Sequence, residues 1–299
     1  MKSTSKAKIE LASAFLIWGT VGVFVKFIPL NSGLVAFDRS LVGMLFLIAV
    51  KLCMKSKIDF SLLKGSLFLL CINGALLGIN WILLFESYNY TTVATSTVCY
   101  NLGPMLVVLV SPIFFKERLT FVKMLCVLTA LFGVVCVSGV FEQTEFTKSS
   151  FIGVALGVSA AVVYAITVVI NKRLDKLNPM DKAITQFASS TVVMFIYCLF
   201  TTDKAELKFS IPTIILLIVV GVVHTGIAYT LYFKSLPDVT SQNVSIFAYI
   251  DPVVAVVLSV IILPEQLTLS IVIGAVLVIA SAIVSEIYDN KQNAGVLPQ

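Results

Sequence analysis

The feature that most constrains this chain is a succession of apolar stretches, joined by connections too short to fold on their own. Ten stretches stand out, at residues 9–28, 33–53, 64–86, 92–115, 121–140, 151–171, 183–200, 211–233, 240–263 and 269–288. A helix crosses a bilayer core in about 20 apolar residues, and in hydrocarbon the backbone must satisfy its own hydrogen bonds. Charge density points the same way. Only 12% of the 299 residues are charged, against about 25% in soluble domains, which is too few to clothe a soluble surface. The chain therefore reads as an all-α integral membrane protein with ten transmembrane helices and no soluble domain. The connections carry proline, asparagine or serine, as at Pro29, Asn31 and Ser32 or at Pro237. The faintest break is Ser87–Tyr88–Asn89–Tyr90, between the third and fourth stretches. The first stretch follows Lys2, Lys6 and Lys8 and has no small-residue cleavage site, so it reads as a retained span rather than a leader.

The placement of lysine and arginine orients the spans. With the N-terminus inside, 16 of the 21 basic residues fall in cytoplasmic segments. These are Lys2, Lys6, Lys8, Lys51, Lys55, Lys57, Lys64, Lys116, Arg118, Lys123, Lys172, Arg173, Lys176, Lys182, Lys234 and Lys291. Lys148, Lys204 and Lys208 fall outside, and Lys26 and Arg39 lie in span ends. Both termini are expected to be cytoplasmic, in a multi-pass protein of the plasma (inner) membrane. The net charge of +5 thus belongs to membrane topology and gives no reason to expect nucleic acid as a partner.

Phe85–Thr120 and Phe233–Thr268 align without a gap at an offset of 148, with ten identities in 36 positions. The identities include Pro104/Pro252 inside the membrane and Glu117/Glu265, Leu119/Leu267 and Thr120/Thr268 in the following loops. A weaker match sets Trp18 on Tyr164 and Lys26 on Lys172. Two five-helix halves result, residues 1–145 and 146–299. An odd number of spans per half inverts the second half, and the charges follow. Lys116–Glu117–Arg118 becomes Pro264–Glu265–Gln266, and Glu86 becomes Lys234. Inverted repeats let two halves exchange conformations of similar energy around a site near the midplane.

With the Trp18–Gly19 pair, Arg39 and the segments PMLVVLVSPIFFKERLT and PVVAVVLSVIILPEQLT, the chain resembles the drug/metabolite transporter superfamily, EamA type, over nearly its whole length. The resemblance implies a secondary transporter of amino acids or other small metabolites, mostly exporters of the bacterial inner membrane, while related proteins move sugars or nucleotide-linked compounds. It also implies a central cavity lined by both halves. The last span of each half (121–140 and 269–288) is then set to the side, where homodimers form in relatives.

Polar residues within the spans are the candidates for the site, because ionisable groups there cost about 2.5–3.5 kcal/mol and face the bundle interior. Asp251, beside Pro252, is a candidate for substrate binding and proton coupling, or else a brace for the break at the proline. His224, the only histidine, shares a helical face with Ala228 and Tyr232. It is a candidate for substrate contact, a proton shuttle or a partner of Asp251, the alternative being a histidine satisfied by a neighbouring helix. Gly103–Pro104 and Asp251–Pro252 are matched interruptions, which point to a transporter site. Tyr100, Asn101 and Asn80 gather there as candidate substrate contacts, although amides such as Asn73 and Asn80 also glue helices together. Trp18, Tyr164 and Tyr229 lie at mid-span, where they either line a cavity or simply pack. Arg39 either attracts an anionic group, pairs with Asp38 or Glu86, or snorkels outward, and Lys26 is expected to snorkel. Glu117 and Glu265 are expected to favour the dipoles of the helices that follow them.

The expected activity is export of an amino acid or similar amphipathic metabolite by alternating access, with the substrate and the lipid bilayer as partners. A facilitator or exchanger of sugar-like, nucleotide-like or drug-like solutes is the alternative within transport. A membrane receptor would have no need of the repeat, and an intramembrane enzyme would need clustered catalytic groups that one His and one Asp do not supply. No catalytic residue, cofactor or metal is expected: there is no GxxxxGK[ST] motif and no ligand cluster. Cys53, Cys71, Cys99, Cys126, Cys136 and Cys198 contain no CxxC pair and read as packing residues.

Overall fold

The computed structural model describes residues 2–56, 63–115, 119–138, 148–202, 209–239, 244, 247–263 and 265–293, and the regular structure among them is helical throughout. The helices are α1 (Lys2–Lys26), α2 (Ser32–Cys53), α3 (Leu67–Tyr90), α4 (Val93–Tyr100), α5 (Gly103–Phe115), α6 (Phe121–Val137), α7 (Lys148–Lys172), α8 (Pro179–Thr201) and α9 (Ile211–Val219). A π-helical segment, Val220–Ile227, continues α9 into α10 (Ala228–Ser235), and α11 (Ile250–Ile261) and α12 (Leu269–Asn293) close the chain. Eight segments among the described residues are long and apolar enough to cross a membrane, α4 with α5 and α9 through α10 each counting as one. Two shorter apolar helices, α6 and α11, accompany them. Lys57, Lys116, Glu117, Arg118, Lys204, Lys208 and Pro264, which entered the charge pattern, lie outside the described residues.

Local chemistry sets the helix ends. The side chains of Asn31, Thr92 and Ser210 accept hydrogen bonds from the amides of Leu34, Thr95 and Thr213 at 2.8, 3.0 and 3.3 Å, as N-caps do. Asn178 caps α8, with Pro179 opening the helix where no amide partner is needed. The break expected at Ser87–Tyr90 falls later. Those residues continue α3, and the chain turns at Thr91, which is extended, with Thr92 capping α4. Ser87 donates to the Leu84 carbonyl within the helix at 2.7 Å, so it does not compete with the helix as a turn serine would. The interruption before Pro104 appears as a turn at Asn101–Leu102, and that before Pro252 as a turn at Tyr249.

Packing is close and built on small residues. α3 lies against α7 and α8, α2 against α8 and the π-helical segment, α1 against α10 and α11, α7 against α4 and α5, and α6 against α12. A Cβ on Gly274 would stand 2.4 Å from the Gly133 carbonyl oxygen, one on Gly74 2.2 Å from the Gln186 carbonyl, and one on Gly19 2.7 Å from the Asp251 carbonyl. These contacts hold backbones together and fix the depth of the residues beside them. Lys51, near the end of α2, pairs with Asp181, in the first turn of α8, each side chain 5% exposed. That pair, Lys172 and the Lys234–Glu10 pair at 3.2 Å mark what is called below the lysine-rich end.

A candidate central site of aromatic residues, Arg39 and Asp251

Arg39 stands two turns into α2 and is 5% exposed. Its Nε donates to Thr225 Oγ1 at 3.0 Å, and its Cζ lies 4.5 Å from the centroid of the Trp81 ring and 5.7 Å from that of Phe85. A desolvated guanidinium over an indole face gains about 2 kcal/mol, so the charge is held by ring faces and one hydroxyl. Neither Asp38 nor Glu86 takes it. Glu86 accepts from Ser32 Oγ at 2.7 Å and from Asn89, and Asp38 Oδ2 is buried without a hydrogen-bond partner.

Asp251, in the first turn of α11, is half-buried, makes no ion pair among the described residues and lies within the field of Arg39. Tyr100 and Tyr229 share that field, and Tyr164 meets Tyr100 edge-on at 5.6 Å. Tyr100, Tyr164, Tyr229 and Asp251 keep some accessible surface although they lie deep in the bundle. They therefore border space rather than closed packing. Tyr164 Cδ1 is 2.6 Å from where a Cβ on Gly103 would be: glycine there lets the ring lie on the turn of the interrupted helix.

Trp18 joins this group from α1. Its Nε1 donates to the His224 carbonyl at 2.9 Å, and its ring packs against Tyr229, Phe15 and Tyr232 at 5.0, 5.3 and 5.5 Å. Phe187 closes on Tyr229 at 5.1 Å. His224 itself is 1% exposed. Its Nε2 is 2.8 Å from Thr20 Oγ1, its Nδ1 3.3 Å from the Val219 carbonyl, and Phe24 covers its face. A carbonyl can only accept, so Nδ1 is assigned the proton and Nε2 of the neutral ring accepts from Thr20. The same hydroxyl lies 2.7 Å from the Ile17 carbonyl. Protonation of Nε2 would therefore turn the Thr20 hydroxyl to Ile17, which makes a two-position switch.

The structure thus brings together Trp18, Arg39, Tyr100, Tyr164, Tyr229 and Asp251, with His224 behind Trp18. The two amides turn elsewhere. Asn80 Nδ2 donates to the Ala160 carbonyl at 2.7 Å, joining α3 to α7, and Asn101 Nδ2 donates to the Thr97 carbonyl at 2.8 Å, bracing the turn after α4. Sequence reasoning missed Thr20, Thr225, Trp81 and Phe187. Thr225 adjoins His224 and Trp81 adjoins Asn80, but no spacing could link either to Arg39. The face shared by His224, Ala228 and Tyr232 assumed an α-helix, and the π-helical turns change that register. Lys26, exposed at the end of α1, donates to the Tyr88 carbonyl in the last turn of α3. Glu265 caps α4 instead of the helix that follows it: its carboxylate accepts from the amides of Val93 at 2.8 Å and Ala94 at 3.4 Å, in the first turn of α4. Among the described residues no group of three His, Cys, Asp or Glu could hold a metal.

Comparison with known proteins agrees with a membrane protein. The model of the EamA-like transporter family matches twice, over residues 8–139 and 151–286. An uncharacterized transporter, YxxF of Bacillus subtilis, is 28% identical over 93% of this chain and 89% of its own. An uncharacterized inner membrane transporter, YicL of Salmonella typhimurium, is 24% identical over 98% of this chain and 99% of its own. One crystal structure superposes with a TM-score of 0.65 at 17% identity, covering 96% of this chain and 99% of that one, and so shares the fold. Two matches to one transporter family, together spanning nearly all the apolar helices, place this chain in the EamA-like transporter family of the drug/metabolite transporter superfamily.

Proposed function

We propose that this protein is a secondary transporter of two inverted five-helix halves, residues 1–145 and 146–299, which moves a small amphipathic metabolite by alternating access. The preferred substrate class is an amino acid or a close relative, and the preferred direction is export. The observation that carries the proposal is the central group itself. A buried Arg39, a half-buried Asp251 and the rings of Trp18, Tyr100, Tyr164 and Tyr229 offer a cation, an anion and an apolar wall to one solute. Each half contributes, with Trp18, Arg39 and Tyr100 from the first and Tyr164, Tyr229 and Asp251 from the second.

Helix neighbours support the two-fold reading. If α1 corresponds to α7, α3 to the run from α9 to α10, and α4–α5 to α11, then α3 on α7 mirrors α10 on α1. Likewise α3 on α8 mirrors the π-helical segment on α2, and α5 on α7 mirrors α11 on α1. The contacts α2 on α8 and α6 on α12 each map onto themselves. The double family match supports the same division. In the proposed topology the lysine-rich end is cytoplasmic.

Counterflow of labelled amino acids in proteoliposomes tests the proposal. Uptake that depends on a candidate amino acid, and that falls at least about tenfold in Asp251→Asn and Arg39→Gln, is expected. Binding without flux would point to a receptor and end the transport reading. Exchange only with a sugar- or nucleotide-like solute would move the protein to the alternative substrate class.

A further inference from the structure

Beside the central group, and sharing Tyr164 with it, a cavity of about 290 Å³ opens towards the lysine-rich end between α5, α6, α7 and α12. Pockets for small ligands begin at about this size. Its polar lining includes Lys123, Lys172, Glu286 and Ser285, which carry one more cation than anions. Lys123 is 5% exposed and Ser285 1%. A lysine this far buried is uncommon, and here it faces a cavity. The Ser285 hydroxyl, also on the lining, has no hydrogen-bond partner among the described residues, which is rare for a buried polar group. Lys123, Lys172 and Glu286 each already take part in a polar or electrostatic contact, so an incoming group would join a network. Met105, Val108 and Val168 make the deeper wall apolar, and Tyr164 lines it as well. The cavity therefore meets the central group at Tyr164 and lies one ring away from Tyr100.

We propose that this cavity is a second binding site, for an amphipathic anion whose single acidic group sits among Lys123, Lys172 and the Ser285 hydroxyl while its apolar body lies along Met105, Val108 and Val168. The excess cation selects the sign of the ligand, Ser285 supplies a free donor, and Glu286 sets a limit on the charge accepted. The site stands whether or not the central group carries a transported solute. The same chemistry is offered by a soluble carboxylate and by an acidic lipid headgroup.

Titration calorimetry of the purified full chain with hexanoate, in nanodiscs of phosphatidylcholine alone, tests the site. Hexanoate should bind. Lys123→Gln and Lys172→Gln should each weaken it about fivefold, the scale of one partly screened charge contact. Glu286→Gln should tighten it, Ser285→Ala should weaken it, and hexyltrimethylammonium should not compete. Nanodiscs containing phosphatidylglycerol distinguish the sources: a weakened apparent affinity for hexanoate assigns the site to the lipid headgroup, and an unchanged one to a soluble anion. If Lys123→Gln fails to give a monodisperse protein, the opposite effects of Glu286→Gln and Ser285→Ala carry the test. Absence of hexanoate binding in the parent, or equal affinity in all variants, would overturn the proposal. A protein that binds hexanoate as described but shows no counterflow would refute transport alone.

Discussion

Arg39 is the residue on which sequence and structure differ most instructively. Its presence inside a span marked it as a candidate, yet neither carboxylate suggested as a partner, Asp38 or Glu86, meets it, while Trp81 and Thr225 reach it from other helices. The planar guanidinium suits an indole face in a way an ammonium does not. Arg39→Lys should therefore lower transport about tenfold, the equivalent of 1–2 kcal/mol of lost stacking and hydrogen bonding, in the counterflow assay. Trp18→Phe keeps an aromatic ring but removes the bond to the His224 carbonyl and part of the indole's packing, so it should cost at least about 1 kcal/mol, measured by thermal unfolding in detergent. The hydroxyl of Thr20 faces both His224 and Ile17. If His224 carries a proton during transport, Thr20→Val should alter the pH profile of uptake, because the proton on Nε2 would lose its acceptor. An unchanged profile would confine His224 to a structural role.

Among the elements, the ends and the crossings were unequally legible. Asn31, named in the connection before the second stretch, caps α2, whereas α8 begins at Pro179 behind its cap Asn178, four residues before the stretch 183–200. Glu265 was less legible, since its amides belong to α4, some 170 residues away in sequence. Gln in its place keeps an acceptor and loses the charge, so Glu265→Gln should cost about 1 kcal/mol and Glu265→Ala more. The Lys51–Asp181 pair between α2 and α8 was equally invisible, for each residue looked like a charge in a loop flank. Lys51→Met alone leaves a buried carboxylate short of its cation and should destabilise by about 3–5 kcal/mol, whereas Lys51→Met with Asp181→Leu should recover most of that loss. Denaturation of the two variants side by side distinguishes a latch from a surface contact. The position of Asp181 in the proposed repeat corresponds to Gly33, which packs on Tyr197, so the ion pair has no equivalent at the opposite end.

At the scale of the whole molecule, hydropathy was a sufficient guide to a membrane-embedded helical chain, because lipid permits few backbone solutions. The stretches 121–140 and 240–263 contain α6 and α11, and other parts of both lie outside the described residues. Composition could not reveal the central group, whose members come from six helices spread over more than 230 residues of chain. Which of those residues carries a proton is a question for the complete transporter. With Asp251 as both substrate contact and proton carrier, uptake by the parent should vary with pH, and the reduced exchange left in Asp251→Asn should lose that variation, as followed with a pH-sensitive dye trapped in the liposomes. Reduced exchange with the pH response intact would instead give Asp251 to the substrate alone.

The π-helical segment Val220–Ile227 leaves a trace that alignment can read. Such a turn accommodates an extra residue within an otherwise α-helical run, and it here holds both His224 and Thr225. A relative with an unbroken α-helix at this place should be one residue shorter between the counterparts of Val219 and Ala228, and should lack the hydroxyl that meets Arg39. Chain length at one point, more than the identity of any residue, would then divide relatives by how they hold their arginine.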